Sequence, residues 1–234
     1  MGSRPHVQVL MPVYNEEHAL PIVLAEWDQM FTENNINYNF VICEDGSNDG
    51  TKSILNKLKR KYPITLNQKQ YRRGYGRAIC DGLSDITADY MLCIDSDGQC
   101  DPKDFINLWK MRMPQTIIIG TRVDRKDTKL RRIYSRLFYI YFWLLFGGNI
   151  LDPSSCFLLA DSSVMRKYTA TMELAKESFR WGVAATCLKN RIQVKETPIN
   201  HRKRLSGTTR VFSTSKVIGV VWRGFIGLLS IRFS

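Results

Sequence analysis

A chain of 234 residues can bury one substantial core, and two full domains would be cramped in it. A hydrophobic fraction of 44% with 11% aromatics excludes a disordered tail, while 34 Lys and Arg against 22 Asp and Glu leave a formal net charge of +12. A surface of that sign attracts polyanions, so nucleic acid and anionic lipid headgroups are the two partner classes to be separated. The cysteines Cys43, Cys80, Cys93, Cys100, Cys156 and Cys187 are scattered with no Cys-x-x-Cys pair. That pattern argues against a zinc site and points to buried free thiols in a reducing compartment. Met1-Gly2-Ser3-Arg4 lacks the apolar stretch of a signal peptide, so the expectation is a chain that stays on the cytoplasmic side.

In chain order, Val7 to Val13 predicts a first strand, followed by a helix from Glu16 to Phe31 with Leu20, Val23, Leu24 and Trp27 on one face. Tyr38 to Glu44 is a second strand. Asp45-Gly46-Ser47-Asn48-Asp49-Gly50-Thr51 reads as a turn and helix start, the helix ends before Pro63, and Ile64 to Leu66 is a third short strand. Helix signals resume from Gly76 to Ser84. The apolar strand Tyr90 to Ile94 stops abruptly at Asp95-Ser96-Asp97-Gly98-Gln99, and a helix over Pro102 to Met111 with a strand over Thr116 to Gly120 completes the expected sheet. This alternation defines an α/β fold with a mostly parallel central sheet flanked by helices.

Beyond Thr121 the character changes. Arg122, Arg125, Lys126, Lys129, Arg131, Arg132 and Arg136 run into Leu137 to Phe146, a wholly apolar or aromatic run half as long as the ~20 residues that span a bilayer. Tyr139, Tyr141 and Trp143 favour headgroup depth, so residues 129–147 read as a helix lying in a membrane interface. Val217 to Ile231 is apolar again, interrupted by Arg223 and bounded by Lys216 and Arg232. The expected organisation is one domain over residues 1–211 and an amphipathic juxtamembrane segment over 212–234. No repeat or low-complexity linker marks a firmer boundary, and the expectation is a core to about Thr121 with a working extension beyond it.

Two carboxylates one residue apart, just after an apolar strand and beside a glycine, present oxygen ligands to a hard divalent cation. Asp95 and Asp97 are such a pair, although Asp-Ser-Asp-Gly is also an ordinary polar turn. Their place at the C-terminal end of a strand is where open α/β sheets bind ligands. Pro12-Val13-Tyr14-Asn15-Glu16 and Glu44-Asp45-Gly46-Ser47 end the first and second strands on the same edge. A tyrosine there can stack on a base, a carboxylate can accept ribose or base hydrogen bonds, and glycine lets backbone approach closely. Each segment alone is equally a helix start or a turn. The coincidence of three is what discriminates.

Met11-Pro12-Val13-Tyr14-Asn15-Glu16-Glu17, Glu44-Asp45-Gly46-Ser47-Asn48-Asp49-Gly50-Thr51 and Asp95-Ser96-Asp97-Gly98-Gln99 resemble glycosyltransferase family 2 in order and spacing. The resemblance implies a GT-A fold, inversion at the anomeric carbon, and Mg²⁺ or Mn²⁺ bound through Asp95 and Asp97 with Gln99 as a further ligand. It implies a nucleotide sugar held by Pro12, Tyr14, Asn15, Glu16, Asp45, Asp95 and Ser96. Gly74, in Arg73-Gly74-Tyr75-Gly76-Arg77-Ala78, is similar to the family's glycine-containing helix start facing the nucleotide. By the same resemblance, residues up to about 121 form the nucleotide-binding half and the rest binds the acceptor.

Gly120-Thr121-Arg122, Arg131-Arg132-Ile133-Tyr134-Ser135-Arg136, Asp152-Pro153-Ser154-Ser155-Cys156-Phe157 and Pro198 to Arg210 resemble the polyprenyl-phosphate (dolichyl-phosphate) sugar transferases. Thr209-Arg210 stands where Ser-Lys is usual, and Cys156 where glycine is usual. A lipid phosphate acceptor is already anionic, with a second pKa near ~6, and it attacks without an enzyme base. It needs cations instead. Arg122, Arg131, Arg132, Arg136, Arg204 and Arg210 are suppliers, with Ser135 and Thr209 as hydroxyl donors and arginine suited to forked contacts. Asp97, Arg122, Arg131 and Ser135 are accordingly the residues assigned to the transfer step.

The implied partners are a nucleotide sugar, a polyprenyl phosphate and an anionic membrane surface at its cytoplasmic face. No nucleic-acid recognition motif is present. One alternative is a family 2 transferase acting on a glycan or protein hydroxyl, with Glu177 or Asp152 as base. The region Lys176-Glu177-Ser178-Phe179-Arg180-Trp181 carries no Glu-Asp pair of the kind such enzymes use. The other alternative is a basic protein that binds nucleic acid or lipid without catalysis.

Overall fold

A computed structural model of the protein describes residues 7–123, 129–205 and 214–234, the side chains of 129–134 and 214–218 excepted. Strands β1 (Val7–Val13), β2 (Tyr38–Glu44), β3 (Ile64–Gln68), β4 (Tyr90–Cys93), β5 (Thr116–Arg122), β6 (Leu158–Asp161) and β7 (Gln193–Ile199) form one sheet in the order β3-β2-β1-β4-β6-β5-β7. Its pairs are parallel except those of β6, which runs antiparallel to both β4 and β5. The helices are α1 (Leu20–Glu33), α2 (Thr51–Leu58), α3 (Tyr75–Leu83), α4 (Phe105–Met111), α5 (Lys129–Phe146), α6 (Ser162–Glu173), α7 (Phe179–Lys189) and α8 (Thr214–Phe233).

All seven β1 residues are buried, as a strand covered on both faces requires. Alternation sorts its side chains: Val7, Val9, Met11 and Val13 meet Trp27, Phe31 and Phe105, whereas Leu10 meets Ile79 and Leu83 on the opposite face. The one polar side chain on β1, Gln8, accepts hydrogen bonds from the Thr87 and Ala88 amides at 2.6 and 2.9 Å, which offsets its burial.

Three expectations change. The first helix starts at Leu20, not Glu16, with Pro21 fixing its first turn; residues 14–19 are left as a loop at the sheet edge. The sheet is not complete at Gly120, because β6 inserts between β4 and β5, and β7 adds beyond β5. Nor does the core end near Thr121. Its second layer includes Phe142, Met165, Phe179, Val183, Leu228 and Ile231, so the later half is integral to the fold.

Five of the cysteines are buried and Cys80 is half-buried, all as free thiols. α8 packs on α7 and α5, where the Tyr141 hydroxyl donates to the Phe225 carbonyl at 3.0 Å. Among the described residues no helix is long and apolar enough to cross a membrane.

Candidate active site

The C-terminal ends of β2, β1 and β4 lie side by side, with Val13 opposite Glu44 and Leu10 opposite Cys93. The three expected segments therefore leave the sheet along one edge. Asn15 adopts a left-handed φ of 54°, which its short polar side chain tolerates. Its amide donates to Ser47 Oγ at 2.9 Å, its side chain exchanges hydrogen bonds with Asn48 at 2.6 and 2.9 Å, and the Glu16 amide donates to Thr51 Oγ1 at 2.9 Å. Ser96 Oγ donates to the Pro12 carbonyl at 3.0 Å and ties the third segment to the first.

Asp45 accepts from the Arg73 and Gly74 amides at 2.7 and 2.8 Å, one on each carboxylate oxygen. Gly74 needs its φ of 104° to present that amide and to start α3, a conformation that penalises any residue with a Cβ. The Tyr14 ring lies at this edge beneath the Arg72 guanidinium, 4.1 Å from the ring centroid.

Asp95 and Asp97 have different surroundings. Arg180, in the first turn of α7, places Nη2 at 2.5 and 2.6 Å from the two Asp95 oxygens, and the Tyr75 hydroxyl donates to Asp95 at 3.0 Å. Asp97 accepts from the Gln99 amide at 3.0 Å and from Arg204 at 3.3 Å, and Arg204 also pairs with Glu16. Burial raises both acids. At Asp95 the charge and hydrogen bonds of Arg180, helped by Tyr75, override it and hold the carboxyl below its ordinary range. At Asp97 burial and the negative Asp95 prevail over the Gln99 amide and Arg204, and the pKa rises to about 6.

The segment after β7 closes over this loop. Leu205 donates its amide to the Asp97 carbonyl and Arg202 to that of Gln99, both at 3.0 Å, while Gln99 Nε2 reaches the Arg202 carbonyl at 3.3 Å. Arg202 is anchored in turn on Glu26 at 2.6 Å. Three acidic side chains, Glu16, Asp95 and Asp97, thus share two guanidinium groups, and Asp97 has the weaker contacts. A divalent cation would relieve the repulsion there, and the donors present are the hard oxygens such an ion takes, so the residues fit Mg²⁺ or Mn²⁺.

A second polar cluster adjoins the first. Arg122 forks onto Asp152 at 2.7 and 2.8 Å and donates to Ser154 Oγ at 2.6 Å, with 6% and 3% of the two charged side chains exposed. Glu196 accepts from the Leu151 amide at 2.9 Å and from Thr121 Oγ1 at 3.1 Å. Arg180 Nη1 reaches the Ser154 carbonyl at 3.4 Å and joins the clusters. Ser135 is half-buried and Arg136 exposed on α5. Arg131 and Arg132 lie on the same helix with side chains outside the described set, and Thr209 and Arg210 fall outside the described residues. Glu177 lies 3.6 Å from Arg223, and His201 forms an isolated bridge with Cys100.

Pro12, Tyr14, Asn15, Glu16, Asp45, Gly74, Asp95, Ser96, Asp97, Gln99 and Arg204 are therefore brought to one edge. Sequence reasoning missed Arg180 and Tyr75 as partners of Asp95. The available signal was an arginine heading an otherwise apolar helix, Phe-Arg-Trp-Gly-Val-Ala-Ala.

This edge, on a mostly parallel sheet, defines the protein as a GT-A glycosyltransferase, and the comparisons agree. The chain resembles the M. tuberculosis glucosyl-3-phosphoglycerate synthase solved with Mn²⁺, UDP-glucose and phosphoglyceric acid, with a TM-score of 0.71 at 14% identity over 98% of this chain and 80% of that one. Mannosyl-3-phosphoglycerate synthase from Rubrobacter xylanophilus aligns with a TM-score of 0.66 at 14% identity, covering 94% of this chain and 73% of that one. The model for "Glycosyl transferase family 2" matches residues 8–170, and the chain belongs to that family.

Its relatives include a dolichyl-phosphate beta-glucosyltransferase of Dictyostelium discoideum, 24% identical over 97% of this chain and 77% of the relative. Undecaprenyl-phosphate 4-deoxy-4-formamido-L-arabinose transferases are 30% identical in Aeromonas hydrophila, over 56% of this chain and 41% of the relative, and 27% identical in Edwardsiella ictaluri, over 92% and 66%. The chain thus spans less than two thirds of the length of those two. It is a glycosyltransferase, which removes the reading as a non-catalytic basic binding protein.

Proposed function

We propose that this chain transfers a hexose-like sugar from a UDP- or GDP-sugar to a polyprenyl phosphate, with inversion and dependence on Mg²⁺ or Mn²⁺, at the cytoplasmic face of a membrane. The observation that carries the reading is the Asp95–Asp97 pair at the sheet edge, tied to Glu16 through Arg204, in a chain whose relatives act on polyprenyl phosphates. When bound, the ion supplies Lewis-acid neutralisation of the departing diphosphate. The Asp95–Asp97 pair, with Gln99 as a further ligand, would hold it. Tyr14 and Asp45 frame the nucleotide edge, and the tie from Ser96 to Pro12 keeps the two loops in register.

The acceptor phosphate forms the new bond from one of its own oxygens to the anomeric carbon while the bond to the diphosphate breaks, so no enzyme base is needed. Asp152, one of the two bases offered for the hydroxyl-acceptor alternative, is instead forked by Arg122. Arg122, Arg131, Arg132, Ser135, Arg136, Arg204, Thr209 and Arg210 remain the groups proposed for the acceptor. Arg122 also holds the 152–155 turn through Asp152 and Ser154.

The membrane part of the reading is supported by two exposed stripes. Leu137, Ile140, Trp143 and Leu144 lie on one face of α5, and Trp222, Ile226, Leu229 and Phe233 recur at helical spacing on α8. Such faces suit an interfacial rather than a spanning helix. The test is transfer of radiolabelled sugar from a panel of nucleotide sugars to polyprenyl phosphate in anionic vesicles. Mn²⁺-dependent glycolipid that vanishes with EDTA is expected. Absence of product with every donor, or transfer only to hydroxyl acceptors, defeats the reading.

A further inference from the structure

Arg180 enters at the head of a helix whose Phe179, Val183, Ala184 and Cys187 are buried apolar contacts. With 27% of its side chain exposed the guanidinium is partly desolvated, and the compensation for that cost is concentrated on one carboxylate. Nη2 meets both Asp95 oxygens at 2.5 and 2.6 Å, and Nε and Nη2 meet the Tyr75 hydroxyl at 3.0 and 2.8 Å. The Tyr75 ring also lies beneath the guanidinium, 4.6 Å from its centroid, and Nη1 is on the Ser154 carbonyl. The metal loop, α3 and the 152–155 turn therefore fix this side chain together. Asp97, two residues on from Asp95, has among the described residues one backbone amide and one arginine contact at 3.3 Å.

We propose that Arg180 is a positioning residue for the donor's metal: by closing on Asp95 it withdraws that carboxylate from competition and directs the divalent cation to Asp97. The inference rests on the metal-dependent reading above and adds to it which carboxylate takes the ion. An internal cation at Asp95 lowers the negative potential across the whole loop, so the site trades metal affinity for a single placement of the ion. A lysine keeps the charge but has one nitrogen in place of three, so it cannot hold Asp95, the Tyr75 hydroxyl and the Ser154 carbonyl together.

The test is Mn²⁺ titration in the presence of UDP and, separately, GDP, with free Mn²⁺ read by electron paramagnetic resonance. It is run on the wild type, Arg180→Met, Arg180→Lys and Arg180→Met with Asp95→Asn, each checked for folding by circular dichroism. Arg180→Met is expected to bind Mn²⁺ at least about tenfold more tightly than the wild type, with Arg180→Lys between them. Adding Asp95→Asn returns the affinity close to the wild-type value. In transfer assays Arg180→Met lowers kcat while its KM for Mn²⁺ falls, a split that a merely structural role does not give.

Unchanged or weaker Mn²⁺ binding in folded Arg180→Met overturns the inference, and in folded Arg180→Lys does so if the methionine variant does not fold. A wild type that binds no Mn²⁺ with either nucleotide defeats the metal reading and this inference together. Wild-type binding that is insensitive to residue 180 defeats this inference alone.

Discussion

At Asp97, burial and the neighbouring Asp95 act in the same direction and lift the carboxyl to about 6. An acid whose folded pKa exceeds its unfolded value binds protons more tightly when folded, so its contribution to stability is fully present below ~4 and is lost as pH rises through 6. Asp97→Asn removes that penalty. The variant is expected to melt above the metal-free wild type at pH 8, and the gap should close as pH falls through 6 towards 4, read by thermal denaturation in EDTA. The same group ties metal binding to pH, because a proton and the cation compete for it; wild-type Mn²⁺ affinity should fall as pH drops through 6. Asp97→Ala should lower transfer by ~10²–10³-fold or more, the scale of losing a preorganised charge at the departing group, measured as initial rate at saturating donor.

The paired helices α5 and α8 set the next scale. Tyr141 and Phe225 join them with ring centroids 4.4 Å apart, which leaves the two apolar stripes exposed. Trp222, 65% exposed, and Ile226 lie one turn apart on α8, so Trp222→Glu with Ile226→Glu should leave the fold intact. Binding to anionic vesicles is expected to fall by at least about tenfold in sedimentation assays, while Mn²⁺ binding with nucleotide is retained. Equal vesicle binding by wild type and variant would remove α8 from the membrane reading.

Elements of this kind were legible in the sequence where one face or both faces are apolar. β1 and β2 match their expected limits, since runs buried throughout (β1) or from Phe40 onward (β2) end sharply at polar loops. β6 was not legible, because four residues carry too little pattern, and β7 reads Gln-Val-Lys-Glu-Thr-Pro-Ile, with exposure mixed along it. At the site, the carboxylates were legible because three motifs end three adjacent strands. Arg180 was not, because its place at the head of an apolar helix marks the residue but not its partner, which lies 85 residues away.

For the molecule as a whole, a net charge of +12 and the two apolar stripes make separable contributions to any membrane association. The charge contribution is long-ranged and is screened as the Debye length shrinks from ~10 Å at 0.1 M salt to ~3 Å at 1 M. The apolar contribution is short-ranged and does not weaken with salt in this way. Wild-type binding to vesicles containing phosphatidylserine should therefore decline steeply between 0.05 and 1 M NaCl but level off above zero. The Trp222→Glu, Ile226→Glu variant should level off well below the wild type over the same range, because the α5 stripe is the main apolar contribution left to it. On vesicles of neutral lipid the wild type should bind weakly at all salt concentrations, and the variant more weakly still. A wild-type curve that falls to zero at high salt would mean that electrostatics alone holds the protein to the surface and that the α5 and α8 stripes meet something other than lipid.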